Sequence, residues 1–378
     1  MKKKIISICS CLVIVLIGVI LAIYNNSFSK DVVIDGIHYA VNLDGVATDS
    51  VPSKGLYQVD VTCEGAEGKW LYDEWKLQVV NMSGEEVKCN LDFTTISQTN
   101  LNNHIVGLAG TTQGTGQVVN ENGYRYEGKD PNNYVWFNNE LWRIIGVFDE
   151  NSHGQTGQNL VKIIRNDSIG GLAWDKTDTN DWTASSLMNL LNGAYLNSEN
   201  GTGGEYCYGY STTVPAGNCD YTESGINDTY RPMIENVTWY LGGHSTQDAT
   251  AEAFYGYERG TTVYSGRPTS TTGYIGLMYP SDYGYSVLSS SCERTTNLSS
   301  YNTARCAGQS WLYGQGCKWT ITPDSSTSDL VFYVYYYGYF YPSSADIGYS
   351  ARPVLYLDSS VYIYDGSGTV SDPYIIGM

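Results

Sequence analysis

Cysteine is the residue type whose spacing most clearly predicts chemistry in this chain. Seven of its 9 cysteines lie outside an N-terminal apolar run, and in an exported protein such cysteines usually form disulfides. Proximity along the sequence predicts three bridges: Cys63 with Cys89, Cys207 with Cys219, and Cys292 with Cys306. This pairing leaves Cys317 single, and we expect its thiol to pair with another chain or to stay free.

A metal site is the alternative use of these cysteines. No two of them have the CxxC spacing that is typical of zinc sites, and the 4 histidines stand alone at His38, His104, His153 and His244. The carboxylates of Asp282, Asp324 and Asp329 are too scattered to nominate as calcium ligands. The sequence therefore predicts no metal site and no cofactor.

Catalytic motifs are absent from the sequence: there is no G-x-S-x-G nucleophile elbow, no P-loop and no H-E-x-x-H helix. Glycoside hydrolysis needs two carboxylates that can be far apart in sequence. The stretch QDATAEAFYGYERG, which carries Asp248, Glu252 and Glu258, is the best place to suspect such a pair. A solvated loop face is the more ordinary interpretation, so we nominate no catalytic residue.

Tyrosine dominates the stretch from Trp319 to Leu357, which we expect to organise the C-terminal domain. It reads as a Trp-led strand, an aromatic strand over 330–337 and a closing strand over 353–357, the parts of one antiparallel sheet. Alternation predicts one core face and one face that presents tyrosines. Flat aromatic side chains stack on sugar rings and also serve protein interfaces. The candidate ligand-binding residues are Tyr335, Tyr337, Tyr339, Tyr341, Trp311, Tyr255 and Tyr257.

The segments that would position these residues begin with a small β domain over 30–95. Its runs GLYQVDVTC, WKLQVVN and VKCNLDFTT alternate apolar and polar residues, as strands do. A Cys63–Cys89 bridge would join two strands of this domain. Trp70 and Trp75 could form a ligand platform, but we favour their interpretation as core or disulfide-covering residues. Residues 96–123 are predicted to be a short helix, with Leu101 and Ile105 on its apolar face, followed by a mobile linker over 111–122.

The second domain is predicted over 124–378. Strands over 134–137 and 141–148 flank Asn138-Asn139, whose tolerance of positive φ favours a tight hairpin. NLVKIIRN predicts a further strand, and WTASSLMNLLNG predicts a helix with Thr183 as N-cap. Residues 197–318 contain few apolar runs and four cysteines, which indicates long ordered loops held by disulfides.

The N-terminus predicts the location of the protein. Three lysines precede an apolar run from Ile5 to Tyr24, and twenty helical residues span about 30 Å of hydrocarbon. The run is long for a signal peptide and lacks a good cleavage site, so residues 1–29 are interpreted as an uncleaved signal anchor rather than a cleaved signal. The lysines would stay in the cytoplasm, with the bulk of the chain outside.

The formal charge of -18 argues against nucleic-acid binding, because an acidic protein repels phosphate backbones. The predicted partners are the membrane, through the N-terminal helix, and a host or envelope glycan or protein.

The order of several segments resembles a known group of proteins. WRIIGV, WTASSLMNLLNG, IGLMYPSDYGYS, WLYGQGCKWTITP and ARPVLYLDSSVYIYDGSGTVSDPYII follow one another as in exported, membrane-anchored envelope proteins of Gram-positive-type bacteria. Their C-terminal domain is similar in outline to bacterial C-type-lectin-like folds, which include the formylglycine-generating enzymes. The resemblance implies an α+β chain with a membrane helix, a small β-sandwich-like domain, and a C-type-lectin-like antiparallel domain with long loops.

Two departures from this resemblance bear on function. The chain lacks the Glu-Pro-Asn or Gln-Pro-Asp tripeptide and the Trp-Asn-Asp motif of calcium-dependent lectins, and its cysteines do not match the active-site pair of the formylglycine-generating enzymes. Three functions stay open: a non-enzymatic surface binding module or adhesin, a structural envelope protein without a soluble ligand, and an envelope hydrolase or thiol oxidase. We favour the binding module.

Overall fold

The computed structural model describes residues 32–34, 37–54, 57–72, 74–80, 87–95, 98–215, 217–302, 304–314 and 316–378. The chain divides into two compact units with a boundary between Ser97 and Gln98. The expected signal anchor over residues 1–29 lies outside the described residues. In the part that is described, no helix has the length and apolar character needed to cross a bilayer.

The first unit is built from β-strands, as alternation in the sequence predicts. Strand β4 alternates half-buried and exposed residues along its whole length, so one face turns to the core. The strands are β1 (Val32–Ile34), β2 (Ile37–Leu43), β3 (Val46–Thr48), β4 (Tyr57–Glu64), β5 (Glu67–Leu71), β6 (Lys76–Val80) and β7 (Val87–Thr95). The order of one sheet is β1-β2-β7-β4, with β3 beside β2, and β5 and β6 form a hairpin.

A disulfide and an aromatic cluster hold the first unit together. Cys63 and Cys89 face each other in the register of β4 and β7 and are bridged. Trp70 is 4% exposed, and its ring lies 5.4 Å from that of Trp75 and 5.0 Å from that of Phe93. Both tryptophans therefore belong to the core cluster or pack against it, as the sequence predicts.

The second unit contains short helices and many strands. Its helices are α1 (Leu101–Gly107), α2 (Glu150–His153), α3 (Ser186–Leu190), α4 (Ala251–Glu258) and α5 (Pro280–Tyr285). Its strands are β8 (Thr99–Asn100), β9 (Thr112–Gln113), β10 (Gly116–Asn120), β11 (Tyr124–Gly128), β12 (Tyr134–Phe137), β13 (Glu140–Phe148), β14 (Leu160–Arg165), β15 (Gly171–Ala173), β16 (Val237–Tyr240), β17 (Ser270–Gly273), β18 (Ile275–Gly276), β19 (Lys318–Pro323), β20 (Leu330–Val334), β21 (Phe340–Ser344), β22 (Gly348–Ser350), β23 (Val354–Leu357), β24 (Tyr362–Asp365) and β25 (Tyr374–Gly377).

Strand β13 is the centre of the larger sheet. It pairs with β12 through the predicted hairpin, in which Asn138 and Asn139 have φ of 58° and 60°. It also pairs with β14 and β11, and the path of the sheet is β18-β23-β14-β13-β12-β25-β24-β8, with β11, β10 and β9 attached in turn to β13. Most of its pairs are antiparallel, while β12 and β25 are parallel.

The stretch from Trp319 to Leu357 does not form one sheet. Strands β19 to β22 belong to a five-stranded sheet of order β15-β22-β19-β20-β21, whereas β23 belongs to the larger sheet. The aromatic strand is also shorter than predicted and ends at Val334, because the chain then turns. Both faces of β20 are buried from Val331 to Val334, so the prediction that one face presents tyrosines is wrong for the strand itself.

The α+β class is not supported, because the described residues are mostly β with few helices, and the longest of these helices has 8 residues. The predicted helix from Trp182 is broken into a 3-10 turn over Trp182–Ala184, α3, and a π-helical turn over Leu191–Tyr195. Thr183 is not its N-cap: Asp181 caps the first turn, and Ser185 caps α3.

Two regions that the sequence assigned to linker or loop are structured. Residues 111–122 contain β9 and β10, which extend the larger sheet through β11, so this stretch is not a mobile linker. The long segment over 197–318 contains the antiparallel strand pair β16–β17 and helices α4 and α5. Weak apolar periodicity misled the prediction there, because the buried positions of these elements include many tyrosines, glycines and serines.

Candidate functional site

The turn between β20 and β21 presents a cluster of tyrosines on the surface. We call Tyr335, Tyr336, Tyr337, Tyr339 and Tyr341 the tyrosine patch. Tyr336 is 43% exposed and Tyr337 is 51% exposed, while the other three are half-buried. The candidates Tyr335, Tyr337, Tyr339 and Tyr341 are thus brought together. Tyr336 was missed because strand alternation placed it on the other face.

Ring contacts order the tyrosine patch. The ring centroid of Tyr336 lies 4.2 Å from that of Tyr335 and 4.1 Å from that of Tyr337. Tyr341 lies 6.2 Å from Tyr335 and stacks on Tyr339 at 5.9 Å. Each aromatic contact of this kind contributes about 0.5–1.5 kcal/mol beyond area burial, so the rings support one another in a defined arrangement.

The backbone of the turn is fixed at Gly338. The amide of Tyr335 donates to the carbonyl of Tyr339 at 2.7 Å, and the amide of Gly338 donates to the carbonyl of Tyr335 at 2.7 Å. Gly338 has a φ of +96°, and a Cβ at this position would lie 2.1 Å from the Cβ of Ala307. Only glycine fits here without strain.

A disulfide supports the residues under this glycine. Ala307 is fully buried and opens a 3-10 turn directly after Cys306. Cys306 is bridged to Cys292, and Cys207 is bridged to Cys219, so both disulfides predicted for this unit are present. The Cys292–Cys306 bridge therefore restrains the loop against which the tyrosine turn packs.

The patch continues inward as a buried aromatic layer. Tyr333 stacks on Tyr349 at 4.5 Å, and the ring of Trp319 lies 4.8 Å from that of Tyr349. Trp319 is 1% exposed, and its indole nitrogen donates to the carbonyl of Leu172 at 2.9 Å. Trp319 is accordingly part of the frame that carries the patch.

Cys317 is the free cysteine of the described residues, and its thiol contacts the backbone of Tyr336 in the patch. Burial raises the pKa of its thiol, although a hydrogen bond from the backbone of Tyr336 and the charge of Lys318 act in the opposite direction. A raised pKa keeps the thiol protonated at neutral pH, and the thiolate is the nucleophilic form.

Trp311 does not belong to the patch, contrary to the prediction. It is 6% exposed, and its indole nitrogen donates to the carbonyl of Tyr126 at 2.8 Å. The guanidinium of Arg143 lies 4.9 Å from its ring centroid. Because its indole N–H and one face of its ring are occupied by other residues of the protein, Trp311 is a packing residue.

Tyr255 and Tyr257 lie on α4, away from the turn in sequence and occupied by other partners. The hydroxyl of Tyr255 lies 3.0 Å from that of Ser152, and the guanidinium of Arg259 covers its ring at 3.6 Å. Tyr257 stacks on His244 at 4.0 Å. Both rings are half-buried, and these contacts account for them without a ligand.

The suspected carboxylates differ in exposure. Asp248 and Glu252 are exposed, whereas Glu258 is fully buried, so the solvated-face interpretation is wrong for Glu258. It accepts hydrogen bonds from the amide and the hydroxyl of Ser281 at 2.8 and 2.6 Å. Burial raises the pKa of Glu258 to about 7, against the opposing charge of Arg259.

A polar cavity of about 190 Å³ opens beside the Asn138-Asn139 turn. Its polar groups are largely used within the protein: Asn138 donates to the carbonyl of Gly225 at 2.9 Å and accepts from the amide of Asn227 at 2.7 Å. Glu140 is paired with Arg165. The cavity contains no aromatic side chain among its lining residues, so it is a weaker candidate than the patch.

The tyrosine patch is the strongest candidate site because it combines exposure, mutual ring contacts and a backbone that is fixed from below. Among the described residues, no group of three or more His, Cys, Asp or Glu side chains is placed to hold a metal ion. No known protein family, no curated protein and no solved structure matches this chain.

Proposed function

We propose that this protein is a non-enzymatic cell-surface binding protein, an adhesin-like module that holds a glycan or a protein on its tyrosine patch. The observation that carries the proposal is the exposure of Tyr336 and Tyr337 on a turn whose other tyrosines stack against them. Exposed aromatic rings leave apolar surface in contact with water, which is unfavourable. A ligand that covers these rings removes that surface from water, and the free energy gained contributes to binding.

The tyrosine side chains of the patch are held in fixed positions, which favours binding. A tyrosine has few rotatable bonds, so its immobilisation on binding costs less entropy than that of a long flexible side chain. Here the rings are also held by one another and by the turn, and such preorganisation lowers the cost of binding further. The phenolic hydroxyls add hydrogen bonds at the rim, which suits the alternating apolar and hydroxyl surfaces of a sugar.

The charge of the protein limits the class of ligand that the patch can bind. The tyrosine patch contains no Asp, Glu, Lys or Arg side chain, while the chain carries a formal charge of -18. A strongly anionic ligand would be repelled by the field of the protein. We therefore expect neutral glycans, or a protein segment with an aromatic or aliphatic surface.

The setting of this function follows from the sequence resemblance. We propose that the second unit is a C-type-lectin-like domain without a calcium site, and that residues 1–29 anchor the chain in the cell membrane with both units outside. The disulfides of both units support an extracellular location, because such bonds persist in oxidising compartments. A fold of this class does not fix the ligand.

Binding by variants of the full chain tests the proposal. Wild type would be screened on a neutral-glycan array and against immobilised envelope and host proteins, and Tyr336→Ala/Tyr337→Ala would be compared with it. Tyr210, which is 54% exposed, supplies the matched control Tyr210→Ala. We expect the double variant to lose at least tenfold in affinity and the control to lose nothing.

Three outcomes separate the alternatives. If wild type and the control bind a glycan and the double variant does not, a lectin-type role is supported. If the same pattern is seen with an immobilised protein, an adhesin that binds a protein is supported. If the double variant binds as well as wild type, the patch is not the site. If wild type binds neither class, the structural envelope role replaces the proposal.

A further inference from the structure

Lys162 and Asp282 meet in the interior of the second unit. Lys162 lies on β14 and Asp282 on α5, 120 residues apart, and the Nζ atom is 2.5 Å from Oδ2. Both side chains are 1% exposed. Their desolvation is costly unless the contact is very good.

The surroundings of the amine are aromatic. The Nζ atom lies 4.3 Å from the ring centroid of Tyr279 and 5.5 Å from that of Tyr356. Phe148 and Trp239 are at 5.6 and 5.8 Å. Burial in this shell lowers the pKa of Lys162 to about 8, although Asp282 acts against the shift. A larger fraction of the amine is therefore neutral, and the neutral amine is the nucleophilic form.

The carboxyl group is oriented and polarised. Its Oδ1 accepts from Nη1 of Arg125 at 3.0 Å, and its Oδ2 accepts from the backbone amide of Tyr279 at 2.9 Å. Burial acts to raise the pKa of Asp282, but the charges of Lys162 and Arg125 together outweigh it and hold that pKa below its ordinary value. The contact therefore begins as an ion pair. Once the ammonium passes a proton to the carboxylate, Arg125 stands where it would stabilise the oxyanion of a tetrahedral intermediate.

A third acid lies next to the pair. Glu258 is fully buried and accepts both hydrogen bonds of Ser281, the neighbour of Asp282 along α5. Its carboxyl group exists in both protonation states near neutral pH, because burial raises its pKa to about 7. Through its two hydrogen bonds to Ser281, Glu258 is a positioning residue that helps to hold Asp282 in place on α5.

We propose that Lys162 and Asp282 become joined by an isopeptide bond after the chain folds. The Nζ–Cγ bond forms and the Cγ–Oδ2 bond breaks. The leaving oxygen departs as water with two of the three ammonium protons, and the third stays on the amide nitrogen. Charge is conserved because one ammonium and one carboxylate become a neutral amide and water. The step requires no oxidant and no cofactor.

The cross-link would tie β14 of the larger sheet to α5. It would close a long covalent loop and so restrict the unfolded chain, which is the effect by which long-range disulfides stabilise proteins. It would also replace a buried ammonium and a buried carboxylate by a neutral amide. We therefore expect resistance to denaturants that persists after the disulfides are reduced.

Mass spectrometry of the full chain tests the bond directly. The protein would be denatured, its disulfides reduced, and its intact mass and proteolytic peptides measured. We expect a mass lower than that of the linear chain by one water, and a branched peptide that contains both Lys162 and Asp282. Lys162→Met and Asp282→Ala should each restore the missing water.

Lys318 supplies the matched control. It is also buried, and its Nζ donates to backbone carbonyls, 3.3 Å from that of Gly316. Lys318→Met should keep the mass deficit, and Glu258→Gln should form the bond more slowly or incompletely. A wild-type chain with the full linear mass overturns the proposal, as does a deficit that survives Lys162→Met. The wild-type peptide map decides the matter even if a variant fails to fold.

Discussion

The hydroxyl of Tyr283 donates a hydrogen bond of 2.7 Å to the carbonyl of Gly338. Tyr283 is fully buried on α5, whereas Gly338 lies at the centre of the tyrosine turn. This hydrogen bond joins the exposed aromatic loop to the core. The attachment links the stability of the interior to the shape of the surface that we propose as the binding site.

Gly338→Ala should disturb this attachment. The added methyl group would meet Ala307, and the residue would have to keep a φ of +96°. We expect a loss of about 1–3 kcal/mol in the free energy of unfolding and weaker ligand binding, measured by urea denaturation and by titration. Gly256 on α4 has open space around it, so Gly256→Ala should be neutral or stabilising. Equal losses in both variants would contradict the role of Gly338.

Tyr283→Phe removes only the hydroxyl. The carbonyl of Gly338 would lose its donor inside the protein, at a cost of about 1–3 kcal/mol. We expect the variant to fold, with a lower denaturation midpoint and reduced ligand affinity. Tyr274, which is 38% exposed, provides the control Tyr274→Phe, for which both measurements should equal those of wild type. Unchanged binding by Tyr283→Phe would separate the patch from this hydrogen bond.

Removal of single disulfides should affect the patch selectively. Cys292→Ser/Cys306→Ser frees the loop that carries Ala307, and the loss of a native disulfide typically costs about 2–5 kcal/mol. We expect weaker binding together with a lower melting temperature of the second unit. Cys63→Ser/Cys89→Ser should destabilise the first unit and leave binding unchanged. Calorimetry of both variants beside a binding titration distinguishes the two effects.

Glu258 should make stability depend on pH. Its pKa is about 7 in the folded protein and 4.5 as its ordinary value, so the folded state holds the proton more tightly. The contribution of protonated Glu258 to the free energy of unfolding is therefore complete below pH 4.5. This contribution is lost as the pH rises through 7, by an amount on the order of 3 kcal/mol. Burial lowers the pKa of His153, which acts in the opposite direction over part of this range.

The comparison with Glu258→Gln isolates this contribution. Urea denaturation of both proteins would be measured at pH 5 and at pH 8, on either side of the Glu258 pKa of about 7. We expect wild type to lose more stability than the variant between the two conditions, because the amide does not titrate. An identical pH dependence in both would show that Glu258 is not held protonated.

Local features of the sequence predicted local features of the structure. Asn138-Asn139 predicted the β12–β13 hairpin, because positive φ at two consecutive residues is a property of the turn itself. The cysteine pairs at separations of 26, 12 and 14 residues were found by proximity, since short separations bring two cysteines together at little entropic cost. Four tyrosines of the patch were found for the same reason, as they are neighbours along one turn.

Long-range packing decided the rest. Trp311 and Tyr255 resemble the patch tyrosines in sequence, but distant segments occupy them. Arg143 of β13 covers the ring of Trp311, and Ser152 contacts the hydroxyl of Tyr255. Tyr336 became exposed because β20 ends at Val334 and the chain turns, a result of the fixed contact between Gly338 and Ala307. The sequence by itself determined strands, turns and bridges between nearby cysteines. Tertiary structure alone brought Lys162 to Asp282 and chose which aromatic rings meet water, because burial depends on segments that are distant along the chain.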